Sequence, residues 1–230
     1  FFLPAILLVA PEKQMDMQLL QRAVALDSNF ALPLRGLAVS LMANDQIESA
    51  AQYYLKFRRI DQSSSSNLLT GYNVNYPYEK LFRAAIRMDP EYYVPYLDLG
   101  NYYRDFALPP DPEKAIIQFQ KAIELNPHMG SPYSALGSIY LNRGDSAKAR
   151  EFFRSALSTK DSNAWRHVFE GYVDMDRLEE ASQLVEASTK NHIRRSFAYV
   201  RIADRYLMRG ITKSAEKYYL KSLAESDRIQ

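Results

Sequence analysis

A short list of small and aromatic residues returns in the same order at two places in the chain. Tyr133, Leu136, Gly137, Tyr140, Ala149, Phe153 and Ala156 repeat the order of Tyr96, Leu99, Gly100, Tyr103, Ala115, Phe119 and Ala122, which Pro127 closes. Spacings of three and four residues mark one face of an α-helix, and Gly and Ala stand where leucine would bury more surface. A small residue at the crossing of two antiparallel helices lets them approach closely, while the large aromatics fill the space between successive pairs. Gly137 costs its helix about 1 kcal/mol relative to Ala. Burying Tyr140 and Phe153, at about 1.5–3 kcal/mol for a large side chain, offsets that.

Helical spacing continues over the rest of the chain, and alternating strand patterns are absent over any useful length. The predicted helices are 12–27, 31–44, 46–60, 76–88, 92–106, 112–125, 130–143, 146–158, 162–174, 178–191, 195–209 and 212–226. "NPHMGSP", "MDPEYY" and "LPPDPEK" each end one pattern and open another, with Pro early in the new helix. "NRGD" and "MRGIT" place Gly where a helix closes through a left-handed residue. The serine-rich stretch 61–77 interrupts the rhythm and reads as a degenerate helix or ordered loop, with a linker between two subdomains as the alternative.

The Tyr-Leu-Gly-Tyr and Ala-Phe-Ala-Pro residues resemble the tetratricopeptide repeat, a helix-turn-helix unit of about 34 residues. Partial units follow the same order: Leu34, Leu37, Ala38, Leu41, Ala50 and Tyr54; Trp165, Val168, Phe169, Tyr172, Ala181 and Val185; and Tyr199, Ile202, Ala203, Tyr206, Ala215 and Tyr219. Phe82, Ala85 and Pro90 keep only the second half of a unit. The resemblance covers most of the chain from Phe30 onward. It implies an all-α, right-handed α-α superhelix of antiparallel helix pairs, about five complete and one degenerate, whose first helices line a concave groove. Three departures stand out. Phe169 replaces the small residue of the motif, so that its pair is expected to splay or shift in register; "ALPPD" lengthens one turn; and Asp161 occupies the place of the closing Pro.

Carried over position by position, the resemblance puts Arg35, Asn101, Arg104, Ser138, Asn142, Arg166, Glu170 and Asp204 on the groove. Asp105, Ser134, Asn163, Asp174 and Val200 accompany them, with His167 and Arg201 on a neighbouring edge. The expected groove is polar and mixed in sign, suited to an extended peptide or a helix of a partner protein. The family's clamp for a terminal carboxylate is not matched: Asn101 fits one of its positions, but Leu97, Ala135 and Asn163 replace a Lys, an Asn and a Lys.

Composition narrows the function further. Twenty-nine basic and 27 acidic residues give a net charge of +2 and alternate along the chain, which argues against nucleic acid as partner. Without cysteine there is no disulfide, thiolate metal site or Cys nucleophile. His128, His167 and His192 fall on three different predicted elements without metal-ligand spacing. No phosphate loop, nucleophile elbow or calcium loop occurs. The expectation is a non-enzyme with no metal and no cofactor. Of the 17 tyrosines, the cluster in "EYYVPYLDLGNYYRDF" suggests an aromatic platform, yet Tyr96 and Tyr103 match core positions, leaving Tyr92, Tyr93 and Tyr102.

The apolar opening "FFLPAILLVAP" is shorter than the about 20 residues of a membrane span. Residues 1–11 read as the remnant of a signal or membrane helix, or as a strap on the first helices, and residues 12–230 as the repeat array. On this reading the chain is a scaffold or adaptor on the membrane or periplasmic side of a bacterial envelope, acting in assembly or secretion, with a cytoplasmic location as the alternative. Two other functions fit the same residues: an accessory domain of a larger membrane enzyme such as a glycan polymerase or transferase, and a homo-oligomeric, self-assembling array. In the latter, Met15, Leu19, Ala23 and Leu26 of the first helix need covering.

Overall fold

The structure, a computed structural model, describes residues 17–61, 69, 73–161, 163–188 and 192–229. Among these residues it is all-α. Twelve helices follow in order: α1 Met17–Leu26, α2 Ala31–Ala43, α3 Ile47–Ile60, α4 Tyr78–Met88, α5 Tyr93–Asn101, α6 Pro112–Leu125, α7 Gly130–Asn142, α8 Ser146–Ser158, α9 Ala164–Asp174, α10 Leu178–Ser188, α11 His192–Met208 and α12 Thr212–Ser226. They form two compact units that divide between Asn126 and Pro127. The division does not fall in the serine-rich stretch, whose one described central residue, Leu69, is buried. Residues 1–11 and Met15 lie outside the described part.

One turn closes four of the hairpins. Asp45, Gly144, Asp176 and Gly210 all have positive φ, between 56° and 78°. The N–H of the next residue reaches back to a carbonyl in the preceding helix: Gln46 to Leu41, Asp145 to Tyr140, Arg177 to Tyr172 and Ile211 to Tyr206, at 2.8–2.9 Å. These bonds satisfy carbonyls that the helix end would leave open. Asp performs in two turns what Gly performs in the other two, because its short polar side chain tolerates the left-handed region. Helices α6 and α8 are capped by Asp111 and Asp145, which accept from the N–H groups of Lys114 and Lys148.

In the first unit, α2 packs on α3 through Leu34, Leu37, Ala38, Ala50 and Tyr54, all buried. The α5–α6 pair shows the close crossing: a Cβ built on Gly100 would lie 2.6 Å from Cε1 of Phe119. The expected helix 92–106 does not run through as α-helix. Tyr102–Phe106 form a π-helical turn, closed by the Ala107 N–H on the Tyr102 carbonyl at 2.8 Å. This wider turn absorbs the "ALPPD" insertion and leaves the half-buried Tyr102 beside Tyr78 and Tyr103, which are buried. Tyr92 donates to the Arg58 carbonyl at 2.8 Å and meets Tyr93 edge to face, so packing also accounts for two of the three tyrosines left over from the repeat pattern.

A buried ion pair crosses this unit's core. Arg58 on α3 and Asp98 on α5 are each 1% exposed, with Nε 3.1 Å from Oδ2. The Tyr54 hydroxyl donates to the same Oδ2 at 2.8 Å, and Arg58 Nη1 donates to the Asp61 carbonyl at 3.0 Å. Burial pushes the Asp98 carboxyl above its usual range, against the opposing pull of Arg58 and Tyr54.

In the second unit, Gly137 receives the ring of Phe153, and the Phe153 ring also contacts Tyr172 of the next pair at 4.7 Å between centroids. Tyr140 stacks on Phe152 at 5.4 Å, and Tyr206 stacks on Tyr218 in the same way at 5.5 Å. Tyr218, 1% exposed, is therefore the core residue of α12, while Tyr219, assigned to that role by the repeat pattern, is 37% exposed. Buried positions on α12 are Ala215, Tyr218, Ser222 and Glu225, so Ala215 and Ser222 keep the places of Ala149 and Ala156 on α8 and only the aromatic between them moves by one residue. Phe169 is buried and stacks on Trp165 at 5.3 Å, in one core with Leu178, Ala181, Leu184 and Val185 of α10. The small residue reappears two positions later: Gly171 passes beside α7, where a Cβ would lie 2.8 Å from Ser138 Oγ.

Asp161 has a positive role in place of the missing Pro. Its Oδ2 accepts from the Gly130 N–H at the start of α7, 3.0 Å, and its Oδ1 from Asn163 N–H at 2.8 Å. Helix α11 begins three residues before the expected position because its first turn is tied to α12. Glu225 sits 2.6 Å from His192 Nδ1 and 3.2 Å from Arg195 Nη2, and the Ser196 hydroxyl lies 2.9 Å from those of Ser222 and Ser226.

Candidate binding surface

The eight candidate groove residues divide between the units. Arg35, Asn101 and Arg104 belong to the first, and Ser138, Asn142, Arg166, Glu170 and Asp204 to the second.

In the first unit the side chains are largely engaged. Arg35 is half-buried on α2, and burial draws its guanidinium below the usual arginine value. Arg104 lies on the π-helical turn and makes a two-pronged contact with the adjacent Asp105: Nε to Oδ1 at 2.8 Å and Nη2 to Oδ2 at 2.6 Å. Its guanidinium carbon is 5.7 Å from the Phe119 ring centroid. An arginine held by its neighbour and stacked on an aromatic is a fixed, locally neutralised donor. Leu97 and Ala135, two of the residues that replace the carboxylate clamp, are buried.

In the second unit α9 packs beside α7 on one side and α11 on the other, so their exposed faces form one surface. Two rungs cross from α9 to α11 at a constant separation of 31 residues: Arg201 Nη2 to Glu170 Oε2 at 2.9 Å, and Arg205 Nη2 to the Asp174 carbonyl at 3.4 Å. Asp176 extends the second rung, 3.6 Å from Arg205 Nε and 2.8 Å from Arg209 Nη1. The hydrogen bond to Glu170 raises the Arg201 value, securing its charge. Asn142 and Arg166 are exposed, and Ser138 is half-buried against Gly171. Asp204 departs from the expected surface: its Oδ1 accepts the Tyr219 hydroxyl at 2.6 Å, which turns it toward α12.

Three features escaped the sequence. The partner of Glu170 is Arg201, assigned only to an edge; Asp176 is an ion-pair centre; and α11 exposes Ile193, Phe197 and Met208 at 63%, 63% and 79%. All three depend on how one helix pair is registered on the next, which the spacing within a repeat does not specify. Fixed arginines, paired acids and exposed apolar side chains thus share one surface. Among the described residues no group of three or more His, Cys, Asp or Glu side chains could hold a metal ion, and no helix is long and apolar enough to cross a membrane.

Stacked antiparallel helix pairs with a polar first-helix surface define a helical-repeat scaffold for protein interactions. Residues 131–163, which take in most of α7, all of α8 and the turn into α9, match the tetratricopeptide repeat family. Over 92 residues, 40% of its length, it is 32% identical to a UDP-N-acetylglucosamine--peptide N-acetylglucosaminyltransferase of Giardia intestinalis, of which it spans 6%. Similar solved structures include MamA (24% identity, 66% of this chain and 84% of that one, TM-score 0.42). Another is YrrB, described as a TPR protein with an unusual peptide-binding site (16% identity, 91% and 93%, TM-score 0.40). The Cut9–Hcn1 hetero-tetramer of APC/C is a third (18% identity, 94% and 44%, TM-score 0.46).

Proposed function

We propose that this protein is a non-catalytic adaptor that holds a segment of a partner protein along the first-helix surface of its repeats, in the assembly or secretion machinery of a cell envelope. The observation that carries the binding role is the α9–α11 surface. Its Arg201 and Arg205 are fixed by defined partners, while Arg166, Phe197 and Met208, with Asn142 on α7, stay open to solvent. Pre-organised donors beside exposed apolar groups supply both orientation and buried area when a chain is laid across them. The envelope assignment rests on the apolar run before residue 12. Crosslinking capture from native membranes, comparing the wild-type protein with Arg104→Glu/Arg166→Glu, tests the adaptor role. Loss of a defined partner on reversal supports it, and a partner retained undiminished moves the site elsewhere.

One observation favours a second reading, an accessory domain of a larger transferase: the relative that matches over 92 residues carries that activity in its name and is far longer than the matched region. An immunoblot of the native product separates the two. A species far above 26.5 kDa favours the accessory domain, and one near that mass favours the adaptor.

A further inference from the structure

The ladder between α9 and α11 has a rung that is not filled. Arg201 reaches the Glu170 carboxylate and Arg205 the Asp174 backbone carbonyl, both across the two helices at a separation of 31 residues, and Asp176 supplies the carboxylate of the second rung. One helical turn earlier on both helices, the same separation sets Arg166 opposite Phe197. Here the acid is missing. Arg166 is exposed and has no ion pair or hydrogen bond among the described residues, and Phe197 is 63% exposed, with Ile193 one turn before it equally so. A carboxylate at 197 would have closed a third rung, of reversed order, with the arginine on α9 and the acid on α11. Among the described residues the register instead sets an open guanidinium opposite a large apolar side chain that is mostly exposed.

The two rungs that follow it along the helices are already filled, so the open one has a definite complement. Glu170 is engaged by Arg201, so the acid nearest Arg166 along α9 is already paired. Arg194, next to Ile193, adds a second positive charge at this end of α11. An arginine offers a planar fork that a carboxylate satisfies with two parallel hydrogen bonds. An exposed Phe with an Ile one turn away offers the apolar anchor point of the kind that dominates protein interfaces. We propose that the Arg166–Phe197 rung is the recognition element of the surface. Its ligand is an internal segment of a partner protein in which an Asp or Glu side chain stands next to a large apolar residue. The acid completes the third rung on Arg166, and the apolar side chain covers Phe197 and Ile193. This inference rests on the adaptor reading and adds to it the chemistry of the segment.

An array of short synthetic peptides tests it, with one Glu and one Leu or Phe stepped through an Ala/Ser/Gly background and every peptide amidated at its C-terminus. Parallel sets carry Lys for Glu, Ala for the apolar residue, or a free C-terminal carboxylate in place of the side-chain acid. The full 230-residue chain is the probe, and retained peptides are titrated by fluorescence anisotropy. Peptides with acid and apolar residue adjacent are expected to bind, and Arg166→Gln and Phe197→Ala each to weaken them at least about tenfold. Arg166→Glu is expected to transfer preference to the Lys-for-Glu set, a reversal that a merely unfolded variant cannot produce. Phe197→Glu supplies the missing acid internally: it is expected to melt at or above the wild-type temperature and to lose the peptides. Retention that ignores the sign of the peptide charge, or that survives all four variants, overturns the inference and leaves the adaptor reading intact. Binding confined to free C-terminal carboxylates also overturns it, in favour of end recognition. An array with nothing retained overturns it as well, and the crosslinking comparison then decides the adaptor reading by itself.

Discussion

The ring of Phe153 lies directly on Gly137: a Cβ placed on that glycine would stand 2.5 Å from both Cδ1 and Cε1 of the ring. Gly100 and Phe119 repeat the relationship in the other unit, with 2.6 Å to Cε1. The close approach that the small residue permits is thus between a helix backbone and an aromatic ring, and the same ring then reaches Tyr172 of the following pair. One glycine serves both the pair and its stacking on the next.

Gly137→Ala is therefore expected to destabilise the protein by about 1–3 kcal/mol through overpacking, although Ala is the better helix former. Adding Phe153→Leu, which removes the obstructing ring atoms, should make the Ala substitution far less damaging. Denaturant titration of the two single variants and the double variant measures the coupling. Additive effects would contradict the contact.

Removing one member of the buried Arg58–Asp98 pair leaves the other charge unpaired in the core. Asp98→Ala is expected to cost about 3–5 kcal/mol. Replacing both, with Arg58→Met and Asp98→Leu, should recover most of that, because a well-packed apolar pair avoids the desolvation of two ions. Urea midpoints with unchanged slopes would verify the comparison, and a double variant as unstable as Asp98→Ala would contradict it.

The double cap of Asp161 predicts a smaller but localised effect. Asp161→Ala releases the N–H groups of Gly130 and Asn163 and is expected to cost about 0.5–2 kcal/mol. Hydrogen exchange should report faster opening of the first turn of α7 with α8 unchanged. Uniform acceleration across the second unit would contradict the cap.

Glu225 makes the tie between α11 and α12 dependent on pH. Burial works to raise its carboxyl, but the hydrogen bond with His192 and the charges of Arg195 and Arg228 outweigh it and hold the value below the ordinary 4.5. A depressed carboxylate stabilises the fold above its unfolded value, and that contribution is lost as pH falls through the folded value. The melting temperature of the wild type should thus exceed that of Glu225→Gln above about pH 5, and the difference should shrink in more acid solution. A gap that is constant with pH would contradict the ion-pair account.

Much of the packing was legible because repeats restate it. Gly100 with Phe119 and Gly137 with Phe153 appear twice at helical spacing, and the turns at Gly144 and Gly210 carry their own chemistry. Asp45 and Asp176 do the same work without glycine, and only their backbone angles reveal it. Tyr218 and Tyr219 are adjacent and chemically identical, and which of them enters the core is decided by stacking on Tyr206. Arg58 looks like a solvated arginine until Asp98, 40 positions away, is brought to it. The candidate surface was less legible. Its positions follow from the repeat, but the pairing of Glu170 with Arg201, the turning of Asp204 toward Tyr219 and the isolation of Arg166 are relations between neighbouring repeats.

Site-specific photo-crosslinking tests the central claim, that partner protein is held on the first-helix surface. The crosslinking amino acid is placed singly at Ser138, Asn142 and Arg166 on that surface, and at Arg154 and Glu216 on exposed positions of α8 and α12. In native extract the account predicts a common adduct of one size from the first three positions and none from the other two. Adducts from Arg154 or Glu216 with none from Ser138, Asn142 and Arg166 would contradict it.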